Sequence, residues 1–133
     1  MENEIDHVAE NVSLSDLQIT LMRVLWSKPH STTLEVVEAM RPTRALAHTT
    51  IATLLSRLEK RGLIASTKQG RLHSYHALIS ETQVQRSMVA DLLSSLFMGN
   101  ANALVKHLVR EDEIDVGDLE QIQKLLSQQE KTK

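Results

Sequence analysis

The sequence predicts a mainly α-helical fold with one small β-hairpin, and three observations carry that prediction. Apolar residues make up 41 % of the 133, yet the chain has one Phe, one Trp and one Tyr, so its core must be aliphatic, which favours helices. Most of those apolar residues recur at intervals of three and four. Only between Leu63 and Leu78 does the period shorten, around a central Gly70.

The first twelve residues are polar and aperiodic and are expected to fray as a flexible N-terminus. A first helix opens at Ser15, with Gln18 three positions on in the spacing of a capping box, and carries Leu17, Leu21, Val24 and Leu25 on one stripe. Lys28-Pro29 ends it. A second opens with the same device, Thr32 and Glu35, turns Leu34, Val37 and Met40 inward, and closes before Pro42. The third lies in "LAHTTIATLLSRLEKRGLI", Leu46 to Ile64. Its Ile51, Leu54, Leu55 and Leu58 fall within about 100° of arc, and Gly62 stands where a glycine stops a helix. "LIASTK" and "LHSYHAL" then read as two antiparallel strands about the turn at Gln69-Gly70.

The remainder is helical. Ser80 and Gln83 open a long helix through Val84, Met88, Leu92, Leu93, Leu96 and Phe97, and Gly99-Asn100 interrupts it. A helix with Leu104, Val105 and Leu108 follows, then the acidic "EDEID", then a helix capped at Asp115 with Leu119, Ile122, Leu125 and Leu126 in register. The polar residues 128–133 are expected to form a flexible tail.

The net charge of −2 conceals a segregation. Residues 41–76 hold Arg41, Arg44, Arg57, Lys60, Arg61, Lys68 and Arg71 against Glu59 alone, a local +6 that leaves −8 elsewhere. Counterion release depends on the charges that touch phosphate, so an acidic chain with one basic segment can still bind DNA. Absence of cysteine excludes disulfides, thiolate metal sites and a cysteine nucleophile. "MENEIDHVAE" is acidic where a signal peptide carries cations, and no apolar run approaches the roughly 18 residues of a membrane span, so a cytoplasmic protein without membrane insertion is expected. There is no glycine-rich phosphate loop, G-x-S-x-G or H-E-x-x-H, and no catalysis is expected. His73 and His76 sit three apart on a strand, which sends them to opposite faces, and the other histidines are scattered; neither metal nor cofactor is expected.

Opposite its apolar stripe, the third helix presents Thr49, Thr53, Ser56, Arg57 and Lys60, with Thr50 and Ala52 at the edges and His48 at its start. Short hydroxyls let a helix approach closely, and in a major groove they meet base edges or phosphates while Ala or a Thr methyl meets a thymine methyl. The plain alternative is a solvated face that lacks acids. Three helices followed by a cationic hairpin, however, is the order of a winged helix-turn-helix, whose second helix of the pair enters the major groove. Residues 13–79 are accordingly expected to form a winged-helix DNA-binding domain. Arg44, Lys60, Lys68 and Arg71 would contact backbone, and Thr49, Thr50, Thr53 and Ala52 base edges, with Arg57 and His48 beside them.

"TTIATLLSRLEKRGLI", then "YHALISE" and "DVGDLEQIQKLL", resemble the penicillinase repressor family over about Ser13 to Leu126. The resemblance implies a homodimeric repressor of palindromic operators, commonly before resistance genes, relieved when a membrane sensor with a metalloprotease domain leads to cleavage between the dimer helices. It matches Thr49, Thr50, Thr53 and Arg57 to the recognition-helix motif and "FMGNANAL" to the cleavage region, here offering Asn100-Ala101 where better-known members have an aromatic after the Asn. It also departs at Ala47, where relatives put a capping Ser; the loss costs about 1 kcal/mol unless His48 or Thr49 substitutes. Copper-sensing members carry a C-terminal cysteine cluster that this chain lacks.

Independently, Leu92, Leu93, Leu96 and Phe97, then Leu104, Val105 and Leu108, then Leu119, Ile122, Leu125 and Leu126 form three stripes after the winged domain is complete. Either they fold back on a monomeric core or, as residues 80–127, they join two copies whose two-fold matches an operator with half-sites roughly 34 Å per turn apart. A protein-interaction adaptor using the same basic face is the rival reading.

Overall fold

The computed structural model describes residues 12–132, with side chains described through residue 128. The order is α1 (Asp16–Ser27), β1 (Ser31–Thr32), α2 (Thr33–Met40), α3 (His48–Lys60), β2 (Ile64–Gln69), β3 (Leu72–Ala77), α4 (Glu81–Phe97), α5 (Ala101–Arg110) and α6 (Val116–Thr132). Two compact units divide the chain between Met88 and Val89, so the first turns of α4 belong with the N-terminal unit.

In that unit the predicted helix starts are made by side chains. Ser15 and Gln18 exchange hydrogen bonds of 3.2 and 2.9 Å with each other's backbone N–H, and Thr32 and Glu35 do the same at 3.2 and 2.9 Å. Both pairs satisfy donors that a helix start leaves bare. At the end of α3, Gly62 takes φ 78°, Gly62 N–H donates to Glu59 O and Leu63 N–H to Leu58 O, the paired bonds of a Schellman motif.

The core is aliphatic as predicted: Leu21, Met22 and Leu25 of α1, Val36, Val37 and Met40 of α2, Ile51, Leu55 and Leu58 of α3, and Leu63 and Ile64 leading into the hairpin. Leu17, Val24 and Leu54 pack against its margin. Leu34 departs from the predicted inward set, being 60 % exposed, because α2 turns Val36 toward the core in its place. The expected two-stranded hairpin gains a third strand. β1 pairs antiparallel with β3, Ser31 opposite Tyr75, in the sheet order β1-β3-β2. Two residues are too few to show a period.

Most buried polar side chains of this unit find a partner. Trp26 Nε1 donates to Ile79 O at 2.9 Å, and buried Ser31 Oγ to Lys28 O at 2.6 Å. Val12 corrects the expectation of fraying over 1–12: it is buried, its carbonyl accepts from buried Ser87 Oγ at 2.8 Å, and Arg61 donates to the neighbouring Ser13 O. The rest of that expectation, residues 1–11, lies outside the described residues.

Lys28 pairs with Glu35 across the α1–α2 connection. That hydrogen bond, with those from Thr32, lowers the Glu35 carboxyl from 4.5 to about 2. A folded-state pKa below the unfolded one means the unfolded chain takes up the proton first. The contribution to stability is therefore complete above about pH 4.5 and disappears as the pH falls through about 2. Glu35→Gln keeps the reciprocal cap and removes the charge, so its acid-unfolding limb is expected to be shallower across that window in circular dichroism. Superimposable limbs would dismiss the carboxylate's role.

The second unit is built of helices. Asn100 Oδ1 accepts from Ala103 N–H at 3.1 Å to start α5, and Asp115 and Asp118 cap α6 reciprocally. Met98 and Gly99 both have left-handed φ, 52° and 79°, between α4 and α5, and Asp112 at φ 56° closes α5. Phe97 and His107 meet edge to face at 6.0 Å. Residues 128–132 continue α6 as helix to Thr132 rather than forming a loose tail, a correction that follows from a run of Gln, Glu and Lys with no breaker. From Val89 onward no described side chain is buried.

Candidate nucleic-acid interface

α3 turns Ile51, Leu55 and Leu58 into the core at 0 % exposure, which leaves its opposite side outermost. His48, Thr49, Thr50, Thr53, Arg57 and Lys60 are all exposed there, and Ala52 is half-buried. Ser56 is exposed as well. Ala47 occupies the cap position with extended φ and ψ and no side-chain bond, so neither His48 nor Thr49 replaces the missing Ser. The one acid of this helix, Glu59, accepts from Ser66 Oγ of β2 at 2.7 Å.

Thr53 Oγ1 donates to Thr49 O at 2.9 Å. Its proton is thereby committed to the helix backbone, and what the side chain presents outward is an acceptor lone pair and a methyl group.

Arg44 is exposed in the turn between α2 and α3, where its N–H donates to Met40 O. Lys68 and Arg71 are exposed at the hairpin end. Gln69 pairs with Leu72, so the loop is Gly70-Arg71; φ is positive at Gly70 and not at Arg71, the pattern of a type II′ turn. Among the described residues the ion pairs are Lys28–Glu35 and Arg41–Glu38, and neither uses Arg44, Arg57, Lys60, Lys68 or Arg71. Five cations without carboxylate partners can meet phosphate with no ion pair to break first.

The strand register also brings Gln69, Leu72 and His73 to this tip, residues the sequence did not place in the interface. Period-two alternation outward from Gly70 is the signal that locates them. His73 lies opposite Lys68, whereas His76 lies opposite Ala65 with its ring 4.9 Å from that of His30 and its buried Nδ1 without a hydrogen-bond partner. Among the described residues no three His, Asp or Glu side chains converge as metal ligands.

A helix pair whose second member shows an exposed, acid-poor face, followed by a sheet with a cationic two-residue tip, defines a winged helix-turn-helix protein of the DNA-binding class. The penicillinase repressor family model matches residues 14–128; the chain belongs to that family and is a DNA-binding repressor. It is 23 % identical over 114 residues to the methicillin resistance regulatory protein MecI of Mammaliicoccus sciuri, covering 86 % of this chain and 93 % of the relative. The penicillinase repressor of Bacillus licheniformis is 25 % identical over 120 residues, covering 90 % and 94 %. A solution structure of monomeric Bacillus licheniformis BlaI in complex with the blaP half-operator aligns at 32 % identity over 54 % of this chain and 88 % of that one, with a TM-score of 0.48.

Proposed function

We propose that the chain acts in the cytoplasm as a homodimer that represses transcription from a palindromic operator before resistance or stress genes. The observation that carries this reading is the outward side of α3, where threonines lie together with cations that pair with no carboxylate among the described residues, and the helix's own acid, Glu59, accepts from Ser66. Thr49, Thr50, Thr53 and Ala52 read base edges, Arg57 either base or phosphate, and Arg44, His48, Lys60, Lys68 and Arg71 the backbone.

Dimerisation is supported by the second unit, several of whose leucines are exposed, Leu96 by 71 % and Leu125 by 62 %. Contiguous exposed apolar surface marks an association site. In this reading a membrane metalloprotease sensor releases the repressor by cleavage at the α4–α5 turn. Met98 is 93 % exposed, which suits access, but Asn100 caps α5 and Ala101 is its first residue, so cutting Asn100-Ala101 requires that turn to unwind.

Fluorescence anisotropy against the chain's own promoter duplex and a scrambled one, at two salt concentrations, tests the reading. Arg71→Ala is expected to weaken both duplexes alike and reduce the slope of log K against log salt by about 1. Thr53→Val keeps the methyl and removes the acceptor, so it is expected to change preference at one base pair by about 1 kcal/mol with the slope intact. Equal affinity of the wild type for both duplexes would favour the adaptor instead.

A further inference from the structure

We infer that the cross-strand pair Gln69 and Leu72 is a minor-groove contact of the hairpin tip and sets base preference in the operator flank, an inference that rests on the DNA-binding reading above. Residues directly opposite in an antiparallel ladder share a face. Ile64↔Ala77, Ser66↔Tyr75 and Lys68↔His73 therefore lie on one face of the hairpin, the one whose Ile64, Tyr75 and Ala77 meet the core. Ala65↔His76, Thr67↔Ser74 and Gln69↔Leu72 lie on the other.

The tip is thus two-sided. One side ends in a lysine and a histidine, the other in a primary amide beside a leucine that is 65 % exposed, and Arg71 stands in the loop between them. A minor groove has matching parts: phosphates along both rims, deoxyribose walls that are largely apolar, and a floor of acceptors interrupted only by the guanine amino group. Proteins that enter it combine Arg, Lys, Asn or Gln with apolar side chains. Lys68 and Arg71 draw the tip to the rims, Leu72 lies against sugar, and the Gln69 amide, with donors and an acceptor on one group, meets the floor. The two-residue loop makes this pair the last of the ladder, so no longer loop stands between it and the groove. Gly70, at φ 62° with open space around its Cα, keeps the tip narrow.

The test uses the full-length chain and a duplex recovered by selection with the wild type from a randomised library. On that duplex Leu72→Ala is expected to lose about 5- to 10-fold in affinity with no change in the salt slope, since no charge is removed. Leu72→Met, which keeps an apolar side chain, is expected to bind within about 2-fold of the wild type. Gln69→Ala is expected to lower the discrimination between A·T and G·C at one flanking position by about 5-fold, read by repeating the selection. Equal thermal unfolding of the variants, expected for exposed positions, makes the comparison one of contacts. The inference is overturned if Leu72→Ala binds like the wild type, or if its loss comes with a flatter slope. Recovery of no sequence at all by the wild type would remove the DNA reading and this inference with it.

Discussion

Ile122→Asp combined with Leu126→Asp is expected to turn the proposed homodimer into a monomer at micromolar concentration and to abolish tight binding to a palindrome. Both residues lie on α6, 43 % and 55 % exposed in the single chain. Full burial of an aliphatic side chain is worth about 1.5–3 kcal/mol, and a carboxylate forced into the same apolar contact is costlier than the loss of that burial. A dimer on two half-sites converts the second contact into an intramolecular one, which raises avidity by about 10²–10⁴-fold. The double variant should therefore lose about 100-fold or more on a full palindrome while keeping the wild-type affinity for an isolated half-site, with unfolding of the winged unit unchanged. Sedimentation velocity and anisotropy read the two effects separately. A double variant that sediments as the dimer, or a wild type that is monomeric at micromolar concentration, would remove this function from the C-terminal helices.

Leu55→Ala is expected to be the most damaging single change to the DNA-reading surface, although Leu55 never meets DNA. It is fully buried at the centre of the α3 stripe, between Ile51 and Leu58. Truncating such a leucine removes its transfer free energy and leaves a cavity, a loss of about 2–5 kcal/mol. A domain of this size has about 5–15 kcal/mol in total, and each kcal/mol displaces its midpoint by about 4–8 °C. Thermal unfolding should fall by about 10 °C or more, and operator binding should fall with it near the new midpoint. Leu34→Ala, at an exposed position of α2, should stay within about 0.5 kcal/mol of the wild type. A Leu34 effect as large as that of Leu55 would reverse the packing described here.

The contrast between Leu34 and Leu55 shows where sequence reading succeeds. In α3 the apolar residues occupy one narrow arc and the hydroxyls and cations the other, so one helix fits the pattern in only one rotation. In the eight-residue α2, Leu34, Val36, Val37 and Met40 allow two rotations, and contacts with α1 and α3 select the one that exposes Leu34. The capping residues Ser15, Thr32, Ser80 and Asp115 were legible because their bonds reach three residues along the chain. Strand β1 was not, because a two-residue strand exists only through its partner Tyr75, some forty residues on.

The candidate interface divides the same way. Periodicity along α3 located Thr49, Thr50, Thr53 and Arg57, and composition located Lys68 and Arg71. The register at Gly70 was needed to set Gln69 beside Leu72, and the fold was needed to bring Val12 under Ser87.

By itself the sequence determined the capped helix starts, the face of α3 that stays outside, the basic segment and the family, since each is written in residues within one or two turns of one another. Tertiary structure alone decided which aliphatic side chains of α2 are inside, that a third strand completes the sheet, and that Val12 lies under Ser87. Those outcomes depend on groups distant in the chain, of which local spacing carries no record.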